Sequence, residues 1–190
     1  MTDSSTGQQN GAPELVVLVD EAGVAIGVAD KALVHHRATP RHLAFSVHVT
    51  DDAGDVLLSR RAITKATWPG VWTNACCGHP APGDDVAEAA RRRVGVELGL
   101  EVTGLDLVLP EFSYRAVDAA GVVENELCPV FAGRVSGRRP TPQPDPTEVA
   151  DVRWVTAHEL DEVRRTAAWM LSPWMVGQLD TLAALRTTAS

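Results

Sequence analysis

Short apolar runs, broken at close intervals by turn-forming residues, set the pattern of this chain. Residues 15–19 and 24–29 flank Asp20, Glu21 and Gly23, and residues 42–50 and 56–60 flank the sequence DDAGD, so each pair predicts a hairpin. Residues 74–79 predict a further strand, ended by the Pro- and Gly-bearing loop 80–83. The period then changes. Val86, Ala90, Val94 and Leu98 recur every four residues, Asp85 stands three residues before Glu88 at capping-box spacing, and Gly99 closes the run, which predicts one amphipathic helix. Strand patterning returns at 105–109, 111–117 and 122–135, with a turn at 118–121. The segment PTPQPDP, 140–146, predicts a surface loop because proline removes backbone donors and fixes φ. A short strand at 152–155 and helices at 157–168 and 173–186 complete the chain. Antiparallel hairpins mixed with a central helix and C-terminal helices predict an α+β arrangement, a sheet covered by helices on both faces.

A length of 190 residues with 45% hydrophobic and 22% charged residues is that of one globular domain, so one core and one active site are expected. Residues 1–12 are polar and Gly-bearing and predict a disordered N-terminal tail; residues 13–190 predict a single domain. The net charge of -8 argues against nucleic acid and against anionic membranes as partners, although a local basic pocket is compatible with it. No run approaches the roughly 20 apolar residues of a membrane span, and the first residues lack the basic start and apolar stretch of a secretory signal, so a cytoplasmic location is expected. Cys76, Cys77 and Cys128 match neither a zinc-ribbon spacing nor the even count of a disulfide framework.

Glu124 and Glu126 lie two apart, so in a strand both carboxylates project from one face. An isolated pair of this kind can be solvated surface, but Leu127, Cys128, Pro129, Val130 and Phe131 favour a half-buried face, where two like charges call for a cation or a raised pKa. His35, His42 and His79 are companion ligands from three separate segments. Three imidazoles and two carboxylates would fill five positions around a divalent ion. His36, His48 and His158 read as ordinary surface or core residues. Cys77 lies two before His79, so in an extended segment both face the same space while Cys76 faces away. A buried, inert thiol is the alternative for Cys77, as core packing is for Trp68 and Trp72.

Residues 78–100 fit the frame of the Nudix box, G-x5-E-x7-R-E-U-x-E-E-x-G-U, with Gly78, Arg92, Val94, Glu97, Gly99 and Leu100 in register. The acids are depleted: Asp84, Arg93 and Val96 replace three glutamates, and Glu97 alone remains of the helix acids, which argues against diphosphate hydrolysis. Arg93 and Glu97 share a helix face at i, i+4, one suited to an anionic phosphate and the other to Mg²⁺; a surface ion pair is the alternative.

The runs RHLAFS (41–46), WPGVWTNACCGHP (68–80), ENELCPVF (124–131) and SPWM (172–175) closely resemble type I isopentenyl diphosphate isomerases over about residues 14–180. That resemblance implies a Nudix-type α/β/α sandwich with a mixed sheet, and conversion of isopentenyl to dimethylallyl diphosphate. It implies a metal site of His35, His42, His79, Glu124 and Glu126 holding Mn²⁺, Zn²⁺ or Mg²⁺. Cys77 and Glu126 are implied as proton carriers on opposite faces of the substrate, with Tyr114 assisting Glu126. The diphosphate is expected at Lys31, Arg61, Lys65 and Arg93, with its Mg²⁺ on Glu97, and the isoprenoid chain against Trp174. The partner implied is a small isoprenoid diphosphate, and a monomer or weak homodimer is expected. A Nudix-type diphosphate hydrolase and a non-catalytic isoprenoid diphosphate binding protein are the competing readings.

Overall fold

A computed structural model describes residues 13–188; the N-terminal tail expected at 1–12 lies outside them. The chain forms β1 (Leu15–Val19), β2 (Ala25–Asp30), a single helical turn α1 (Lys31–Val34), β3 (His42–Leu43), β4 (Phe45–Thr50), β5 (Val56–Arg61), β6 (Trp72–Asn74), β7 (Cys76–Gly78) and helix α2 (Val86–Leu98). It continues through β8 (Gly104–Leu109), β9 (Ser113–Val117), β10 (Val123–Leu127), β11 (Val130–Arg134), β12 (Val149–Val155), α3 (Ala157–Thr166) and α4 (Pro173–Thr188), with a 3₁₀ turn, Ala168–Met170, between the last two helices.

The strands make two mixed sheets, a five-stranded one in the order β2-β1-β3-β10-β9 and a seven-stranded one in the order β12-β5-β4-β11-β8, with β6 on β5 and β7 on β4. The α+β class with helices on both faces is therefore as expected, and the faces can be read from β5. Leu57 packs in a core with Ala90, Val94 and Leu98 of α2, whereas Val56 and Leu58 pack with Leu160 of α3 and with Trp174 and Met175 of α4. Alternation along one strand thus sends successive side chains to helices on opposite sides.

Three strands expected to be continuous are broken, and the breaks build the site. The run 42–50 divides at Ala44, placing β3 in the five-stranded sheet and β4 in the seven-stranded one. The run 122–135 divides at Cys128 and Pro129 in the same way, where proline has no N–H for a ladder. The two breaks lie side by side: Glu126 pairs with His42 in the first sheet, Val130 pairs with Ser46 in the second, and Ala44 N–H to Leu127 O (2.9 Å) and Ser46 N–H to Pro129 O (3.0 Å) carry the parallel pairing across. The run 74–79 divides at Ala75, so that Asn74 pairs with β5 and Cys77 with Ser46 of β4. Smaller differences are at element ends: β9 begins at Ser113, β12 reaches back to Val149, and α3 stops at Thr166.

Helix α2 follows its sequence signals. Asp85 accepts from Glu88 N–H at 3.0 Å, and Ala90, Val94 and Leu98 are fully buried. Gly99 ends the helix in the left-handed region at φ 62°. The proline-rich segment closes over this end, Gln143 and Asp145 donating backbone N–H groups to the carbonyls of Leu98 (2.7 Å) and Glu97 (2.8 Å), which have no partner within the helix. A Cβ on Gly78 would lie 2.7 Å from the Phe45 ring and 3.4 Å from Arg93 Cγ, so glycine there lets α2 press against β7.

Candidate active site

Strand pairing brings the acids and imidazoles together. Glu126 on β10 lies beside His42 of β3 in the parallel ladder and beside Tyr114 of β9 in the antiparallel one. His35 follows α1 as its C-cap residue, and His79 follows β7. Ligand atoms of His35, His42, His79 and Glu126 all lie within 4.8 Å of one another and could hold a metal ion. His42 Nε2 is 3.2 Å from His79 Nε2 and 3.5 Å from Glu126 Oε1, His79 Nε2 is 3.2 Å from the same Oε1, and His35 Nε2 is 3.1 Å from Glu124 Oε2.

The donor set fits a cation. His42 Nδ1 lies 2.9 Å from Pro40 O, an oxygen that only accepts, so Nδ1 carries a hydrogen and Nε2 is the ring atom that either offers its lone pair to a cation or, when the ring is protonated, donates to Glu126. His35 Nε2 and Glu124 Oε2 are buried without a hydrogen-bond partner despite their proximity. Buried lone pairs converging in this way are costly unless a positive charge meets them. Burial alone would raise the Glu126 carboxyl, but hydrogen bonds and charge from His42 and His79 hold it well below the usual carboxylate range. For His42 burial acts downward and is outweighed by Glu126, leaving it raised; for His79 burial prevails and lowers it.

A cavity of about 260 Å³ opens beside this cluster, its wall including Cys77, Tyr114, Glu124, Glu126 and Trp174. The Tyr114 hydroxyl donates to Glu126 Oε2 at 2.8 Å, and burial with the two nearby carboxylates pushes its phenol well above the ordinary value. Cys77 Sγ lies 3.3 Å from Ser46 Oγ and 3.2 Å from Asn74 Nδ2. Burial pushes its thiol up to about 11, against the hydrogen bonds from Ser46 and Asn74. Cys76 faces away, toward Glu97 at 3.5 Å, as alternation requires. Trp174 is buried, its ring 5.5 Å from Tyr114 and edge-on to Trp68 at 6.0 Å, with the Arg61 guanidinium 5.6 Å above it.

Lys31, Arg61, Lys65 and Arg93 line the same cavity. Glu148, which no sequence signal singled out, pairs with Lys65 and lies 2.9 Å from Arg93; Lys31 pairs with Glu14 at 2.6 Å. Glu97 sits buried behind Arg93 in the expected i, i+4 pair, and burial raises its carboxyl despite that partner. No sequence signal marks Asn74 or Ser46 either, although both lie inside the runs 68–80 and 41–46. His48 is a core residue, as expected, with burial lowering its pKa, and His158 is exposed.

Residues 40–175 match the NUDIX domain family. A protein of Mycolicibacterium vanbaalenii named isopentenyl-diphosphate Delta-isomerase is 54% identical over 179 residues, spanning 93% of this chain and 95% of the relative. Proteins of the same name from Agromyces mediolanus (53% over 172 residues, 90% and 82% covered) and Brevibacterium linens (50% over 172 residues, 90% and 93% covered) are similar to it. The chain belongs to the isopentenyl-diphosphate Delta-isomerase family. Solved structures agree on the fold of this isomerase-family chain: a Deinococcus radiodurans protein superposes with a TM-score of 0.61 at 21% identity, covering 84% of this chain and 92% of that one, and a MutT protein from Methanosarcina mazei Go1 with 0.60 at 17%, covering 77% and 96%. In this member of the family, the Nudix-box position held by Arg93 carries a cation facing the cavity, and Glu97 is its partner. Among the described residues no helix is long and apolar enough to cross a membrane.

Proposed function

We propose that this enzyme isomerises isopentenyl diphosphate to dimethylallyl diphosphate within the single domain of residues 13–190, with Cys77 and Glu126 as the two proton carriers. The supporting observation is that one cavity of about 260 Å³ is lined by a half-buried thiol, a carboxylate that accepts from Tyr114, and the Trp174 side chain. An alkene is a very weak base and accepts a proton only from an acid held against it, in a pocket that keeps water from trapping the tertiary cation. One carrier protonates the terminal methylene and the other removes a proton from C2, while the Trp174 ring stabilises the cation by about 2 kcal/mol or more when desolvated. The diphosphate meets Lys31, Arg61, Lys65 and Arg93, a local basic mouth in an acidic protein.

His35, His42, His79, Glu124 and Glu126 would hold a divalent ion, Mn²⁺, Zn²⁺ or Mg²⁺, and Glu97 would hold the Mg²⁺ that accompanies the diphosphate. Such an ion supplies a strong fixed positive charge beside Glu126. The unpartnered His35 Nε2 and Glu124 Oε2 support this assignment. Incubation with isopentenyl diphosphate and Mg²⁺ in D₂O tests the reading: dimethylallyl diphosphate carrying deuterium in a methyl group is expected, and the absence of both isomer and exchange with every divalent metal tried would overturn it.

A further inference from the structure

Behind the cavity wall lies a continuous chain of buried polar side chains that the proton chemistry alone does not use. His48 of β4, Gln178 of α4 and Ser46 of β4 are 8%, 0% and 0% exposed. His48 Nε2 is 2.8 Å from Gln178 Oε1, Gln178 Nε2 donates to Ser46 Oγ at 2.9 Å, and Ser46 Oγ is 3.3 Å from both Cys77 Sγ and Cys128 Sγ. Removing three polar groups from water inside an apolar core is costly, and here each is met by its neighbour in the chain.

The chain has a direction. The Gln178 carbonyl oxygen can only accept, so His48 Nε2 carries the hydrogen, and the carboxamide is held with its NH₂ toward Ser46. Ser46 Oγ receives that hydrogen, which leaves its own hydrogen to point at a sulfur. Asn74, the other polar neighbour of Cys77, meets the same sulfur: its two NH₂ hydrogens are drawn to Cys76 O at 2.7 Å and Val47 O at 3.1 Å with Cys77 Sγ at 3.2 Å, while its Oδ1, an acceptor only, takes the Cys77 S–H at 3.3 Å and leaves the sulfur lone pairs for Ser46. Of the two sulfurs, only that of Cys77 also lines the cavity. Gln178 stands four residues after Trp174 on α4, so one helix face presents an aromatic to the cavity and a carboxamide to the rear of its thiol.

We infer that Gln178, with His48 behind it, is a positioning residue that fixes the Ser46 hydroxyl as a hydrogen-bond donor to Cys77 Sγ, holding the sulfur at the angle from which it meets the substrate. The inference rests on the assignment of Cys77 as a proton carrier. It makes the docking of α4 part of the catalytic geometry, since the helix sets Trp174 and the thiol together.

The test is steady-state kinetics of the full-length, metal-loaded enzyme carrying Ser46→Ala, Gln178→Met, both together, Cys128→Ala, or Cys77→Ala. Loss of a hydrogen bond aligned on the reacting group should lower kcat about tenfold in Ser46→Ala and in Gln178→Met, with KM unchanged. The double variant should be no slower than Ser46→Ala, because the two residues act through one bond. Cys128→Ala should stay within about twofold of the parent enzyme. A Ser46→Ala enzyme of full kcat, multiplicative losses in the double variant, or a Cys128→Ala loss matching that of Ser46→Ala each overturns the inference, and Ser46→Ala decides it even where Gln178→Met does not fold. If Cys77→Ala is itself active, the underlying assignment fails; if Cys77→Ala is dead and Ser46→Ala fully active, the positioning chain alone fails.

Discussion

Tyr114 donates a 2.8 Å hydrogen bond to one oxygen of Glu126, while the other oxygen of that carboxylate faces His79 at 3.2 Å and His42 at 3.5 Å. The two oxygens therefore differ in their surroundings, one held by a phenol at the cavity and one directed at the imidazole cluster. Removing the phenol leaves the imidazole side intact. Tyr114→Phe should lower kcat by about 10- to 100-fold, the worth of a hydrogen bond to a charged group, with little change in Tm. Unaltered kcat would separate Tyr114 from Glu126 chemistry.

Cys77 faces the cavity and Cys76 faces Glu97, so the two neighbours should differ sharply as targets. Cys77→Ala should abolish isomerisation and deuterium incorporation from D₂O while the thermal transition stays cooperative; Cys76→Ala should retain turnover. Equal losses in the two variants would argue for a packing effect.

Metal removal should act on stability as well as rate. An ion that binds the folded site and not the unfolded chain stabilises the fold by mass action, so dialysis against a chelator should lower Tm by several degrees, with recovery on adding a divalent ion. Calorimetry of the His42→Ala variant provides the control, because its Tm should respond far less to the chelator.

Burial lowers the pKa of His48 in the folded protein. The unfolded chain then binds more protons between that lowered value and the ordinary value of about 6.5, so stability from neutral His48 is fully present above about pH 6.5 and is lost as pH falls below it. Denaturant unfolding between pH 7 and 5.5 should show this slope, and His48→Gln should flatten it. A slope unchanged in that variant would place the titration elsewhere.

Leu98 is fully buried where α2 meets the seven-stranded sheet, and its carbonyl is capped by Gln143. Leu98→Ala should cost about 2–5 kcal/mol through lost burial and a residual cavity, measured by urea unfolding, whereas truncating exposed Val96 on the same helix should cost little.

Much of this was legible in the sequence. The α2 helix, its Asp85 cap and its Gly99 terminus are matters of spacing within one turn or a few, and the first hairpin around Asp20 and Gly23 is equally local. The residues able to carry chemistry could be named from their types and from the runs that contain them. Glu148 could not, because its partners Lys65 and Arg93 are distant in sequence and an acid after a proline-rich loop has no local mark. Gln178 likewise reads as an ordinary helical residue until the 132 residues separating it from Ser46 are folded away.

What the sequence determined by itself was the course of the long helices and apolar runs and the inventory of thiol, imidazole, carboxylate and cation, since periodicity and residue type are short-range properties. The tertiary structure alone decided that the runs 42–50 and 122–135 break side by side and pass from one sheet to the other. That crossing sets Glu126 beside His42 in one sheet and Ser46 beside Cys77 in the other. The physical reason is that a strand's hydrophobic pattern records which face is buried, while the identity of its neighbours depends on backbone pairing between segments far apart in the chain.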